Sequence, residues 1–343
     1  MSDTASPLYR LLVIFAACTV IVGGMRLADE LIVPFILSIF IAMVVSPLVT
    51  ALRMRGTPHG VSIILVVGLM LSAGLLFGAV IGSAMVNFQK DLPEYSLKLA
   101  LMSSDIQAWL AGFGIVISSE QWQSSFDLGA LMVLVANTLA SFGNVMTNGL
   151  MILLTVVFIL AENMGFAEKL SLARGPQSSS AWLKTFTKSV NSYMAIKTVI
   201  SFITGLLIFL WLSFLGVDYA ILWGLLTFLL NFIPAVGSVI ASVPPVLLAI
   251  VQLGWIPAAM ALVGFFSVNM LMGNLVEPRW MGHGLNLSPL VVFVSLVLWG
   301  WVLGPVGMLL SIPLTIMLKI GLESQDQTKW IGAMLGSVSG DSN

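Results

Sequence analysis

The fold class this sequence predicts is an all-α polytopic membrane protein, and composition and charge distribution both point to it. Of 343 residues, 59% are hydrophobic and only 8% charged, with a mean hydropathy of +1.06. A soluble domain carries about a quarter of its residues as Asp, Glu, Lys or Arg. From Thr198 to Leu318 the formal charges are Asp218, Glu277 and Arg279, too few to coat a water-soluble fold. The balance of 14 basic and 15 acidic residues gives a net charge of -1, which offers nucleic acid no basic footprint. The single cysteine, Cys18, excludes an intramolecular disulfide and a cysteine-rich metal site.

About eight hydrophobic segments follow one another along the chain. A helix needs ~20 apolar residues to cross a hydrocarbon core of ~30 Å. Leu11–Met25 is a short first span; its apolar run continues past Cys18, which predicts an uncleaved span rather than a cleaved signal. Leu31–Leu52 follows, with Pro34 near its start and Pro47 near its end, and Val61–Val86 is the third. A polar stretch to about Gly129 comes next. Leu131–Ala161 contains the fourth span, and Tyr193–Leu215 is the fifth.

Loop charges orient these spans by the positive-inside bias. Arg53, Arg55 and His59 separate spans two and three with no acid among them. Lys90 and Lys98 face Asp91, Glu94, Asp105, Glu120 and Asp127 between spans three and four. From Asn163 to Lys197 the basic residues Lys169, Arg174, Lys184, Lys188 and Lys197 oppose Glu168 alone. These signs predict cytoplasmic N- and C-termini, with 87–129 outside. Within that outer segment Leu99, Met102, Ile106, Trp109, Leu110 and Phe113 recur at helical spacing, which predicts a small amphipathic cap. Glu162 and Lys197 are expected to snorkel at the interface.

The C-terminal half repeats a pattern. Tyr219–Leu253 carries no charge and as one straight helix would run to about 52 Å, far beyond a bilayer. Pro234 and Gly237 interrupt it. Leu285–Leu318 is interrupted in the same way at Gly304, Pro305 and Gly307. Gly216-Val217-Asp218 pairs with Gly284-Leu285-Asn286, and each break is followed by a serine and a proline (Ser242, Pro244; Ser311, Pro313). An apolar span precedes each block: Tyr193–Leu215 and Pro257–Val276. Paired, interrupted hydrophobic segments are the sequence signature of a transporter site, because broken helices free backbone groups at membrane depth. Each block is either a re-entrant hairpin or one tilted span. The hairpin topology puts Glu277–Gly284 in the cytoplasm, and the tilted span puts it outside.

The residues Gly273-Asn274-Leu275-Val276-Glu277-Pro278-Arg279-Trp280-Met281-Gly282 and Leu287-Ser288-Pro289-Leu290 resemble the hallmark of the AI-2E (autoinducer-2 exporter) family. So do Trp299-Gly300-Trp301, Gly304-Pro305-Val306-Gly307, Pro313-Leu314-Thr315, Trp223-Gly224-Leu225-Leu226 and Leu230-Asn231-Phe232-Ile233-Pro234. Ile32-Val33-Pro34-Phe35 and Tyr193 with Ile196-Lys197-Thr198 match as well, while Ala235 stands where relatives often carry a second asparagine. The resemblance implies a bacterial inner-membrane transporter assembled as a homo-oligomer, a pentamer. Some members are associated with release of autoinducer-2 and others with sodium or lithium/proton antiport. This chain is more similar to the signal-exporting branch.

The expected organisation is a three-span scaffold over 1–86, an extracytoplasmic segment over 87–130 and a fourth span with its cytoplasmic loop over 131–192. A transport region over 193–322 and a cytoplasmic tail over 323–343 complete it. The substrate pathway is expected at Asn231, Pro234, Gly237, Ser238, Asn274, Asn286, Gly304, Pro305 and Gly307. Neutral donors and acceptors there suit a small polar metabolite. Glu277 and Arg279 flank Pro278 at the end of a span. Glu277 is either a proton-exchanging carboxylate or one half of a structural ion pair with Arg279. Asp218 is a second candidate carboxylate.

Export of a small polar signal molecule such as autoinducer-2 is the leading expectation. A monovalent cation/proton antiporter using Glu277 or Asp218, and a passive channel or membrane scaffold, are the alternatives. His59 and His283 are the only histidines, and neither an HExxH nor a Walker A motif occurs, so no enzyme activity, metal or cofactor is expected. A cysteine placed at Gly282 discriminates the topologies. The hairpin form predicts labelling from the cytoplasmic side, and exclusive labelling from outside overturns it.

Overall fold

The computed structural model describes residues 7–113, 148–174, 180–281, 287–324 and 327–336, and contains helices but no strand among them. Helix α1 is Pro7–Leu27, α2 Asp29–Met54, α3 His59–Ala111, α4 Gly149–Arg174 and α5 Ser180–Leu215. Then come α6 Ala220–Leu230, α7 Gly237–Leu253, α8 Trp255–Leu271, a π-helix Met272–Val276 and α9 Glu277–Met281. Helices α10 Pro289–Leu309, α11 Ser311–Glu323 and α12 Lys329–Met334 close the chain. Asp29–Met54, His59–Met102, Ser189–Leu215, Trp255–Met281 and Pro289–Leu309 are long and apolar enough to cross a membrane. The fold is therefore the all-α polytopic membrane class. The expected fourth span lies outside the described residues as far as 147, and from Gly149 it is α4.

The chain forms two compact units. One joins Met1–Ile63, Met151–Ile196 and Met281–Asn343; the other joins Ile64–Leu150 and Lys197–Trp280.

In the second unit, α6 and α7 form a helical hairpin, hairpin 1. With 11 and 17 residues they are about 16 and 25 Å long, too short to span singly. The base of the hairpin is closed by Gln252 at the end of α7. Its Oε1 accepts from the Asp218 N–H at 3.0 Å and its Nε2 donates to the Gly216 carbonyl at 3.1 Å. At the tip, Gly237 has no side chain because none fits: a Cβ there would lie 1.8 Å from the Leu230 carbonyl oxygen. The N–H groups of Asn231, Phe232, Ile233 and Gly237 donate to carbonyls three or four residues back, and that of Val236 to Pro234. The turn thus satisfies most of its own backbone N–H groups, as a bilayer interior requires.

Helix α5 reaches this hairpin through small residues. A Cβ on Gly224 would sit 2.6 Å from the Phe209 Cβ, and one on Gly205 would sit 2.6 Å from the Gly224 carbonyl oxygen. Gly264 of α8 leaves room for the Trp211 indole, whose N–H donates to the Met260 carbonyl at 3.0 Å. Around these approaches Ile208, Leu212, Leu222, Trp223, Leu226, Leu248 and Phe265 form the unit's buried core.

The first unit contains hairpin 2. Helix α10 is broken at Gly304, whose φ of 65° and ψ of -152° no α-helix contains and glycine adopts without a Cβ penalty. The chain folds back so that the Thr315 hydroxyl of α11 donates to Ser295 Oγ at 2.8 Å and accepts from the Trp299 indole at 3.1 Å. Gly307 repeats the role of Gly237, since a Cβ there would lie 1.9 Å from the Trp299 carbonyl oxygen. Both blocks thus fold back as helical hairpins with a positive-φ residue at the tip, Ala235 (φ 60°) in one and Gly304 in the other.

Two sequence expectations change. The amphipathic cap predicted beyond residue 86 is, as far as Ala111, not a separate element. It continues α3, one helix of 53 residues and about 80 Å that runs through Pro93. Residues 114–130 lie outside the described residues. Lys197, expected to snorkel at the interface and counted with the cytoplasmic loop charges, lies inside the span Ser189–Leu215 and is only 4% exposed.

The left-handed backbone at Ala235 costs an L-residue roughly 1–2 kcal/mol, less for asparagine. Ala235→Asn should therefore stabilise the detergent-purified protein by about 1 kcal/mol, and the β-branched Ala235→Val should destabilise it, both read as thermal midpoints.

Candidate functional site

One face of α5 gathers the polar groups of the second unit. Lys197 and Ser201 stand four residues apart, one helical turn, and both are buried. The Lys197 ammonium donates to Glu277 Oε1 at 2.7 Å and Oε2 at 2.9 Å. One turn along, the Asn231 amide Nδ2 donates to Ser201 Oγ at 2.9 Å. The tip of hairpin 1 and the break after α8 are therefore docked side by side on α5, about 6 Å apart along its axis.

The break owes its form to Pro278. A proline inside a helix has no N–H, and its ring collides with the carbonyl four residues earlier, here Asn274. The helix responds by widening into the π-turn Met272–Val276, and the Glu277 N–H donates to the Met272 carbonyl five residues back. The Gly273 carbonyl thereby loses the Glu277 N–H, and residue 278 has none to offer. Widened turns of this kind recur at functional sites. This one delivers the Glu277 carboxylate to Lys197.

The pair bears on the topology. Lys197 lies near the start of its span, so Glu277 must end its own span at the same membrane face. Only the hairpin form of Tyr219–Leu253 allows that. In the single-span form the two residues lie on opposite sides.

An ion pair with a nearly sealed lysine is costly to assemble and costlier to break, because removing one partner strands a charge. The structural pairing expected between Glu277 and Arg279 is replaced by this one: Arg279 is exposed on α9, one turn past the break, while Lys197 occupies both Glu277 oxygens. Asp218 belongs elsewhere. It follows α5, whose run from Lys197 to Leu215 is about 27 Å, and it sits at the base of hairpin 1. There Tyr95 of α3 donates its hydroxyl to Asp218 Oδ2 at 2.7 Å, and the Trp223 indole donates to the Asp218 carbonyl at 2.9 Å.

Of the expected pathway residues, Asn231, Pro234, Gly237 and Ser238 lie in the tip of hairpin 1, where Gly237 is buried and Pro234 and Ser238 are partly exposed. Asn274 is exposed on the π-turn. Gly304, Pro305 and Gly307 form the tip of hairpin 2 in the other unit, and Asn286 lies outside the described residues. Near that second tip Ser311 is fully buried, with no hydrogen-bond partner for its hydroxyl among the described residues. No cluster of three or more potential metal ligands occurs among the described residues.

Sequence reasoning singles out neither Ser201 nor Tyr95, and Lys197 only as a lysine snorkelling at the interface. The signal for Lys197 and Ser201 was their spacing: a lysine and a serine one turn apart, entering a charge-free run, define a polar stripe on a spanning helix. Lys197 was one residue outside the charge-poor stretch counted from Thr198, which hid it among loop charges.

Comparison with known proteins bears on what this site serves. The family model described as AI-2E family transporter matches residues 11–325. The chain is 38% identical over 332 residues to the AI-2 transport protein TqsA of Escherichia coli K12, covering 96% of each protein. It is 37% identical over 338 residues to a Haemophilus influenzae protein whose name specifies transport and no substrate, covering 96% of this chain and 97% of that one. YhhT of Escherichia coli K12, likewise named for transport alone, is 35% identical over 328 residues.

If the pair on α5 is a structural requirement, Glu277→Gln strands a buried ammonium and should cost about 3–5 kcal/mol, seen as lost yield and a lowered thermal midpoint. Lys197→Met combined with Glu277→Leu removes both charges and should recover most of that stability.

Proposed function

Because the chain belongs to the AI-2E transporter family, we propose that it carries a small polar, uncharged signal molecule of the autoinducer-2 kind out of the cytoplasm across the bacterial inner membrane. Membrane transport follows from the family itself. The substrate rests on one observation: similarity along 96% of both chains to a protein named for AI-2 transport.

The geometry is compatible with a neutral cargo. Both candidate coupling carboxylates are engaged, Glu277 by Lys197 and Asp218 by Tyr95. Glu277 and Lys197 also cancel each other's charge, so a charged solute gains little there. The groups around the tip of hairpin 1 are neutral: the Asn231 amide, the Ser238 hydroxyl and the Asn274 amide. In this reading the tip of hairpin 1 contacts the cargo and shifts during alternating access, as broken helices do in other secondary transporters. The same family resemblance leads us to assign a homo-oligomeric assembly, a pentamer, and the loop charges lead us to place both termini in the cytoplasm.

A cation/proton antiporter would need Glu277 to leave Lys197 in each cycle, and a passive channel or scaffold would need no moving tip. Proteoliposomes separate these readings. Autoinducer-2 release down its gradient supports export. Sodium-driven proton movement without it replaces this proposal with antiport, and neither flux leaves the scaffold.

A further inference from the structure

Two segments more than a hundred residues apart exchange bonds at the base of hairpin 1. Asp91 and Tyr95, one turn apart on α3, face the dipeptide Asp218-Tyr219. The Tyr95 hydroxyl donates to Asp218 Oδ2 at 2.7 Å, and the Tyr219 hydroxyl donates to Asp91 Oδ2 at 2.5 Å. Each side thus supplies one carboxylate and one phenol. Phe88, one turn before Asp91, packs its ring edge-on to Tyr219 and tilted to Tyr95, with centroids 6.1 Å from each. Tyr95 is 2% exposed. Burial, with Asp91 beside it, holds the Tyr219 phenol above its ordinary pKa range, so it remains a donor.

Tyr219 is also strained. Its φ of 59° and ψ of 29° place a bulky residue in the left-handed region, which persists only where surrounding contacts hold it. Here the holding contacts are the Asp91 bond and the Phe88 ring, while Gln252 pins the neighbouring Gly216 and Asp218. The tip has fewer polar anchors: among the described residues, the side-chain hydrogen bond that leaves it is that of Asn231 to Ser201, and Ala235 and Val236 are exposed although Phe232 and Ile233 are buried.

We propose that this reciprocal Asp–Tyr clasp is the fixed end of hairpin 1. Asp91, Tyr95 and Tyr219 act as positioning residues that keep the base docked on α3 throughout the transport cycle and confine rearrangement to Asn231–Val236. The claim about motion during transport rests on the export reading above, whereas the claim about the anchored base does not.

Two measurements on the full-length protein test it. In hydrogen exchange of the nanodisc-embedded protein, the hydrogen-bonded amides of Val217, Asp218 and Trp223 should exchange more slowly than those of Asn231, Phe232 and Ile233. Tyr95→Phe with Tyr219→Phe should speed the base about tenfold and leave the tip unchanged, whereas Asp91→Asn, which keeps an acceptor for Tyr219, should not. Equal or reversed protection in the wild type overturns the proposal. In a Cys18→Ser background, a short bis-methanethiosulfonate reagent then bridges either Asp91→Cys with Tyr219→Cys, or Ser201→Cys with Asn231→Cys. The bridged base should retain the flux of its unbridged form, and the bridged tip should lose it. Flux lost on bridging the base overturns the proposal. If the wild type moves no autoinducer-2, the substrate reading fails and the exchange pattern alone decides the clasp.

Discussion

Inside a bilayer a backbone group that leaves its helix has no water to turn to, and both hairpins of this protein are shaped by that constraint. Hairpin 1 reverses in six residues by returning nearly every tip N–H to a carbonyl a few positions back. Hairpin 2 reverses with one left-handed glycine followed by a proline that has no N–H to satisfy. In each, a glycine on the returning arm lets its backbone press against a carbonyl of the outgoing one. The repeated pattern of glycines and prolines is the chemical solution to one problem met twice.

The same constraint governs charge. A lysine buried in a spanning helix must be neutralised within reach, and Lys197 reaches only what the fold brings to it. Pro278 provides the means: by widening the helix ahead of it, it turns the Glu277 carboxylate onto the ammonium. The proline is therefore not a helix terminator here, since α9 continues beyond it, but a device for aiming a side chain. One turn further on, Ser201 receives the tip of hairpin 1, so a single stripe on α5 records where two other elements dock.

Much of the architecture was legible in the sequence because it depends on local chemistry. Charge scarcity gives the membrane class, and the doubled Pro/Gly breaks mark the hairpins. What the sequence left open was partnership. Glu277 had a near neighbour of opposite sign in Arg279, and proximity along the chain favoured that pairing; the winning partner, Lys197, is eighty residues away and one turn inside a different helix. Likewise the polar, acidic run around Asp91 reads as a loop or cap, because nothing local shows that Tyr95 and Asp91 will find Asp218 and Tyr219. Helix α3 also runs on through Pro93, where local propensity alone argues for a stop.

The π-turn at Met272–Val276 bears on how this chain tolerates change in length. A π-turn accommodates one residue more than the α-helix around it, so it behaves as an insertion stored in the backbone. Removing one residue there would let the helix relax to ordinary winding while the turns on either side kept their phase, because the widened turn is what absorbs that residue. The deletion would instead bring back the collision of the Pro278 ring with the carbonyl four residues earlier, which the widened turn relieves. This short stretch can therefore drift in composition, while losing a residue from it exchanges a π-turn for a proline clash.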